Sequence, residues 1–524
     1  MRSNNDDRYW KIIPANAMKS IVLINPPVAK PCEPPAGIAR LAGALRQSGL
    51  DCRVIDANIG GLNFLLEKPV YAEDTWTHRA VRNRRQHLKT LRAQRGYPSF
   101  ASYKRAVVDI ARILEKSVTN KQVTVGLANY RDRALSPVRS QDLLRAAAAP
   151  ETNPFYDYFL EIVLPAATRP AVDAVGISLS FLSQALCGFA LIGLLKRYRP
   201  DLKVILGGGL VTSWIRRPEW QNPFAGLADG MVDGPGEKVL LRLLGKNGEM
   251  GGFSPDYSDF RNNGYFSPGF ILPYSASSGC YWRGCSFCPE RAEKNPWVPI
   301  PASKVISDLK GLIEKTSPAL VHFLDNAIHP VLLKALAEEP IKVPWYGFVR
   351  LARQLCDPWF CEKLRQSGCA MLKIGLESGD QAVLNALKKG TDLATAARIL
   401  LNLKKVGIAT YVYLLFGTPQ ESEQAARRTL EFTVSHSDKI GFLNLALFNL
   451  PIHGPDSRDI ETSDFYSGDL SFYREFEHPL GWNRPRVRSF VEKTFKKHPQ
   501  IAPIIRRDPP VFTSNHAPFF TAYD

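Results

Sequence analysis

The chain has 524 residues, 45% of them apolar, and a formal net charge of +17, enough material for two to four domains with buried cores. It has no apolar run of about 18 residues, so no membrane span is expected. The opening "MRSNNDDRYWKIIPANAMKSIVLINPP" lacks an apolar core ending in a small-residue cleavage site, so no secretory leader is expected.

The charge is unevenly placed. Residues 79–149 hold 16 Lys and Arg against 4 Asp and Glu, which accounts for +12 of the +17. A run such as "RAVRNRRQHLKTLRAQR" reads first as a solvated helical face and second as a surface for an acidic partner. No RNA-binding signature accompanies it, so nucleic acid is not an expected partner.

The first region alternates strands and helices. "SIVLINP" (20–26) has the pattern of a buried strand, and "PPAGIARLAGALRQSG" (34–49) that of a helix closed by Gly. "DCRVIDAN" (51–58) is a second strand. After the basic stretch come "DAVGISLSF" (173–181), the helix "SQALCGFALIGLLKRYRP" (183–200), "KVILGGG" (203–209) and "DGMVDG" (229–234). This alternation predicts an α/β, doubly wound (Rossmann- or flavodoxin-like) domain over 1–245, with ligands at the carboxyl ends of its strands. Residues 60–170 form a basic, mostly helical insertion. The Gly-, Asn- and Ser-rich stretch 246–268 reads as a linker.

A second rhythm follows over 269–450. Six strands are predicted: "FILPYS" (270–275), "ALVHFL" (319–324), "WYGFV" (345–349), "AMLKIG" (370–375), "TYVYLLF" (410–416) and "GFLNLALF" (441–448), with helical patterns between them. Six such units imply a partial (β/α)6, TIM-like barrel whose chemistry lies at the carboxyl ends of the strands. Chemically capable residues recur there: the cysteine loop after the first strand, Asp325 after the second, Arg350 after the third, Glu377 and Ser378 after the fourth, and "GTPQE" (417–421) after the fifth. Residues 451–524 read as a capping extension.

Nine cysteines, odd in number and unevenly spread, make a poor disulfide framework and fit a reducing cytoplasm. Three of them, Cys280, Cys285 and Cys288, fall within "SSGCYWRGCSFCPE" (277–290). Three thiolates leave one iron of a [4Fe–4S] cluster without a protein ligand, open to a small molecule. A three-ligand zinc site and unligated structural cysteines are the alternatives from spacing alone. Cys356, Cys361 and Cys369 are candidates for an auxiliary cluster, with a buried structural role preferred. Cys32, Cys52 and Cys187 read as inert.

The loop, the six-unit barrel, "GLESG" and "GTPQES" together resemble the radical S-adenosylmethionine (SAM) domain over roughly 268–450. The spacing departs from the commonest form, with four residues between the first two cysteines where three are usual. It is closer to subgroups that carry an N-terminal cobalamin domain. The resemblance implies that Cys280, Cys285 and Cys288 hold a [4Fe–4S] cluster whose open iron chelates the amino and carboxylate groups of SAM. It also implies that Phe287 packs near the adenine and Arg350 meets the SAM carboxylate. Glu377 and Ser378 would meet the methionyl and ribose groups, Gly417 would lie against the adenosyl group, and Asp325 would fall in a SAM-contacting segment. The alternatives are an Arg350–Glu377 salt bridge and a helix cap at Asp325.

"INPP…PPAGIARLAGALRQSGLDCRVIDAN", "GISLSF" and "VILGGGLVTS" resemble the cobalamin-binding domain that precedes some of these barrels. By position, Ser178 and Ser180 would flank the corrin and its tail, Gly207, Gly208 and Gly209 would pass against the tail, and Gly234 and Glu237 in "DGPGE" would close the site. The loop after the first strand (25–37) has no His, so cobalt is expected without an imidazole from it; Cys32 there is the other conceivable ligand.

The resemblance implies a cobalamin-dependent radical SAM enzyme. Its expected reaction is methylation of an unactivated carbon or phosphorus of a small-molecule or peptide substrate, with flavodoxin or ferredoxin as electron donor. The alternatives are a non-methylating rearrangement or cyclisation, a tRNA modification, and a binding protein without turnover. Tyr473, Trp482 and His516 are candidates to line the substrate pocket or to pack in the core.

Overall fold

The computed structural model describes residues 18, 20–71, 74–94, 96–246, 252–458 and 460–521. Residues 1–17, on which the leader reading falls, and 247–251 of the expected linker lie outside the described residues. The chain divides into two compact units. Met1–Ala93, Ala101–Ser267 and Ser467–Ser471 form the first; Gln94–Phe100, Pro268–Tyr466 and Phe472–Asp524 form the second. No helix among the described residues is long and apolar enough to cross a membrane.

In the first unit, β1 (Ile21–Asn25), β2 (Cys52–Asp56), β3 (Ala174–Ser178), β4 (Lys203–Gly207) and β5 (Gly230–Met231) form one sheet. Its order is β2-β1-β3-β4-β5 and every pair is parallel. All five residues of β1 are buried, as a parallel sheet covered on both faces requires. The winding reverses between β1 and β3, so the loops after these strands flank a crevice at their carboxyl ends.

The inserted stretch forms helices Thr75–Arg82, Arg84–Leu91, Phe100–Ser117 and Ser140–Ala148, and a hairpin pairing Val123–Val125 with Tyr130–Asp132. The first two helices bury Ala80, His87, Leu88 and Leu91 and leave Arg79, Arg82, Arg85 and Lys89 exposed. That is the solvated basic face expected from the pattern.

The stretch read as a linker is packed instead. Asp256 N donates to Ala39 O and Phe266 N to Pro31 O, while Arg46 bridges Asp256 and Asp259 at 2.9 and 2.6 Å. Tyr257, Phe260, Tyr265 and Phe266 are buried. Four aromatic anchors outweigh the turn-rich composition on which the linker reading rested.

In the second unit, β6 (Ile271–Tyr274), β7 (Leu320–Phe323), β8 (Trp345–Val349), β9 (Cys369–Glu377), β10 (Ala409–Phe416) and β11 (Phe442–Leu447) pair in sequential order. All neighbours are parallel. One residue from each strand joins a single apolar cluster: Ile271, Leu320, Tyr346, Met371, Tyr411 and Phe442, with Ala517 from the C-terminal extension. These positions lie in the N-terminal halves of the strands. The extension closes that end: Tyr97 stacks on Phe520 with ring centroids 5.2 Å apart, and its hydroxyl lies 3.1 Å from His516 Nδ1. The opposite, carboxyl end is left for the loops that carry the cysteines.

Candidate functional site

The cysteine loop leaves β6 after Tyr274. Asp325, just past β7, holds its start by accepting from Ala276 N at 2.9 Å and from the Ser277 hydroxyl. Burial raises the Asp325 carboxyl above its ordinary range, against these hydrogen bonds. Asp325 is thus a brace for the loop in this structure, and the cap of helix Pro330–Glu338 is His329.

Cys280, Cys285 and Cys288 line one hollow with about 280 Å³ of free space. Among the described residues no three His, Cys, Asp or Glu side chains gather closely enough to hold a single metal ion. Three cysteine thiols facing one hollow are a donor set that fits an iron–sulfur cluster with one iron left without a protein ligand. Burial pushes the Cys288 thiol up to about 11, with a smaller contribution from Cys285, so a nearby cationic metal is needed to hold it as thiolate at neutral pH.

Around the hollow, Arg350 lies with its Cζ 3.9 Å from the centroid of the Trp282 ring. Its Nη1 is 3.9 Å from Cys285 Sγ, and its Nη2 donates to the carbonyl of Lys389. The Arg350–Glu377 bridge, the alternative to a role for Arg350 at the SAM carboxylate, does not form. Glu377 pairs with Lys389, Nζ to Oε1 at 2.7 Å, both side chains largely buried. Glu377 has φ +68°, a left-handed conformation uncommon for a residue with a side chain and frequent at functional sites. Phe287 packs against Val383, Leu387 and Ala425, with Lys389 Nζ 5.6 Å from its ring centroid.

Two expected contacts are otherwise engaged. The Ser378 hydroxyl is fully buried, lies 3.1 Å from Thr429 Oγ1 and accepts from Asp380 N, which leaves it little to offer a ribose. Gly417 N donates to Glu421 Oε2, which also accepts from Trp482 Nε1 at 3.0 Å. Burial pushes the Glu421 carboxyl up to about 7 against both hydrogen bonds. Trp482 and Gly417 also border a cleft with about 410 Å³ of free space, part of it open to solvent, walled by Phe448, Phe465 and Phe476 with Arg474 and Arg484. Trp482 is nearly fully buried, as the core-packing reading has it, with its ring at the edge of this cleft. Tyr473 is half-buried and His516 belongs to the closed end.

Cys361 and Cys369 are buried, and burial raises both thiols. Cys361 Sγ donates to Leu355 O at 3.2 Å.

In the first unit the crest between β1 and β3 is tied together by side chains. Asn25 Nδ2 donates to Asp56 Oδ1 at 2.9 Å, and Gln184 Nε2 donates to Asn25 Oδ1 at 3.0 Å. Gln184 Oε1 accepts from Ser180 N and Phe181 N. Ser178 pairs in register with Gly207. Gly208 has φ +101° and a Cβ there would collide with the Leu179 carbonyl, whereas a Cβ on Gly209 would meet only Ser180 O at 3.9 Å. Gly234 N donates to Thr212 Oγ1 at 3.0 Å, and Glu237 pairs with Arg40 at 2.6 Å. This low crest of Ser and Gly, with Phe181 58% exposed beside it, fits a flat macrocycle. Cys32 is fully buried and its thiol is raised well above its ordinary range, first by burial. It does not present a ligand to the crest.

No protein-family profile matches the chain. The bacteriochlorophyllide d C-12(1)-methyltransferase of Chlorobaculum tepidum is 27% identical over 179 residues, 32% of this chain and 38% of that protein. An uncharacterised protein of Methanopyrus kandleri is 22% identical over 166 residues, 28% of this chain and 31% of its own. The chain thus spans well under half the length of these curated relatives. Among solved structures, the radical SAM methyltransferase TsrM of Kitasatospora setae, with cobalamin and a [4Fe–4S] cluster bound, aligns over 84% of this chain and 78% of its own. The TM-score is 0.51 and the identity 16%. The cobalamin-dependent SAM radical enzyme OxsB aligns over 91% of this chain and 66% of its own, with a TM-score of 0.56 and 12% identity. The fold of this chain, two parallel α/β units in this order, is that of the cobalamin-dependent radical SAM enzymes.

Proposed function

We propose that the protein is a cobalamin-dependent radical SAM enzyme that methylates an unactivated carbon or phosphorus of a small-molecule or peptide substrate. The observation that carries this is the hollow shared by Cys280, Cys285 and Cys288, set where the first strand of a six-strand parallel series ends. The flavodoxin-like sheet with an open Ser/Gly crest supports the second cofactor. When bound, the cluster supplies the electron that cleaves SAM to a 5′-deoxyadenosyl radical, and cobalamin supplies the methyl group.

The chain's own residues bind and orient. Cys280, Cys285 and Cys288 hold the cluster, and Asp325 holds the loop that presents them. Arg350, beside Cys285, offers a guanidinium to the SAM carboxylate, a planar donor suited to bidentate pairing. Glu377, fixed by Lys389, is the acceptor for the SAM amino group. Phe287 gives an aromatic surface near the adenine. Ser178, Ser180 and Gly207–Gly209 keep the crest low for cobalamin, while Glu237 acts by holding Arg40. Flavodoxin or ferredoxin is the electron donor.

Product analysis with methyl-labelled SAM tests the transfer. Label is expected in the methylated product; a product formed without label contradicts methylation and favours rearrangement or cyclisation.

A further inference from the structure

The four residues between Cys280 and Cys285 send two aromatic side chains in different directions. Tyr281 packs against His329, ring centroids 4.9 Å apart, and against Trp297 at 6.2 Å. Trp282 goes to the turn that follows helix Gln381–Ala386, beyond β9: its Nε1 donates to Lys388 O at 3.2 Å. Two glycines make room for the indole. A Cβ on Gly284 would stand 2.6 Å from Trp282 Nε1, and one on Gly390, whose φ is +67°, would collide with the Trp282 ring. Arg283 takes φ +52° and Arg291 Nη1 donates to Gly284 O at 2.6 Å, which closes the loop behind the indole.

The indole in turn carries Arg350. The guanidinium lies over its face at 3.9 Å, while its edge meets the Lys389 carbonyl and Cys285 Sγ. A long Arg side chain would otherwise sample many rotamers at a half-buried rim. Here one face is covered by an aromatic ring that attracts cations, and the direction of the fork is fixed relative to the cluster thiols. The same turn supplies Lys389 to Glu377. One indole therefore sets both side chains assigned to the polar end of SAM, one through its ring face and one through its bond to the 388–390 turn.

Resting on the function proposed above, we infer that Trp282 is a positioning residue for SAM: it orients Arg350 and anchors the 388–390 turn. The additional residue between Cys280 and Cys285 serves to place it. Trp282 borders the same hollow as the three cysteines, and in this role it acts on SAM through Arg350.

The test uses the full chain, reconstituted anaerobically with iron and sulfide, and the variants Trp282→Leu, Trp282→Phe and Arg350→Lys. Three readouts are taken: iron content, SAM affinity, and the change that SAM causes in the electron paramagnetic resonance spectrum of the reduced cluster. Trp282→Leu is expected to keep the iron, to weaken SAM binding about tenfold, and to lose or alter the SAM-induced spectral change. Trp282→Phe, which keeps an aromatic face, recovers most of both. In the Arg350→Lys background Trp282→Leu adds little. Unchanged SAM affinity in Trp282→Leu overturns the inference, as does full additivity with Arg350→Lys. Loss of iron from Trp282→Leu overturns it too, since the indole then holds the cluster loop itself. If the unmodified chain holds a cluster but binds no SAM, the functional reading fails instead, which is a distinguishable result.

Discussion

Lys389 Nζ lies 2.7 Å from Glu377 Oε1 across twelve residues of chain, directly above Gly375. A Cβ on that glycine would stand 2.6 Å from the carboxylate and 2.9 Å from the ammonium. Both charged groups are largely removed from water, so removing one leaves the other buried without its counter-charge. Lys389→Met is expected to cost about 3 kcal/mol, read as a lower urea midpoint of the second unit. Adding Glu377→Leu restores more than half of it. A double variant that loses the sum of the two single losses contradicts the pairing.

Glu421 links stability to pH. Its carboxyl is raised from 4.5 to about 7 chiefly by burial, so between these values the folded chain holds a proton that the unfolded chain has lost. The stabilisation is complete below about pH 4.5 and is lost as the pH rises through about 7. It amounts to at most about 3 kcal/mol. Glu421→Gln is expected to flatten the decline in unfolding midpoint across that window. An equally steep decline in the variant contradicts the assignment.

The closed end of the second unit depends on its C-terminal extension. Phe520 stacks on Tyr97 and meets Phe100 edge-on at 5.1 Å. Phe520→Ala is expected to cost about 2 kcal/mol, below the value for a fully buried ring. Because it lies at the N-terminal ends of the strands, SAM affinity at permissive temperature should stay unchanged. An unchanged unfolding midpoint contradicts the role of the extension.

The elements most legible in the sequence are those whose residues declare their surroundings. The short apolar runs "IVLIN" and "LVHF", rich in branched residues, read as covered strands, and they are. The cysteine loop declares itself by spacing. The 252–267 strap was hidden because its Gly, Asn and Ser mask four aromatic anchors. Lys389 gave no local signal, since its partner lies twelve residues back on a strand end. Ser378 stands in the expected place, yet the fold turns its hydroxyl into Thr429. For Trp282 the signals were present in the extra loop residue, Gly284 and Gly390, but only packing joins them.

The most direct test is reductive cleavage of SAM. The full chain, reconstituted with iron, sulfide and cobalamin and supplied with a low-potential reductant, is incubated with SAM and analysed for 5′-deoxyadenosine. Formation of 5′-deoxyadenosine, abolished with the cluster's visible absorption by Cys280→Ala, Cys285→Ala or Cys288→Ala, is the predicted result. No 5′-deoxyadenosine from a chain that retains an intact, reducible cluster and binds SAM would contradict the account.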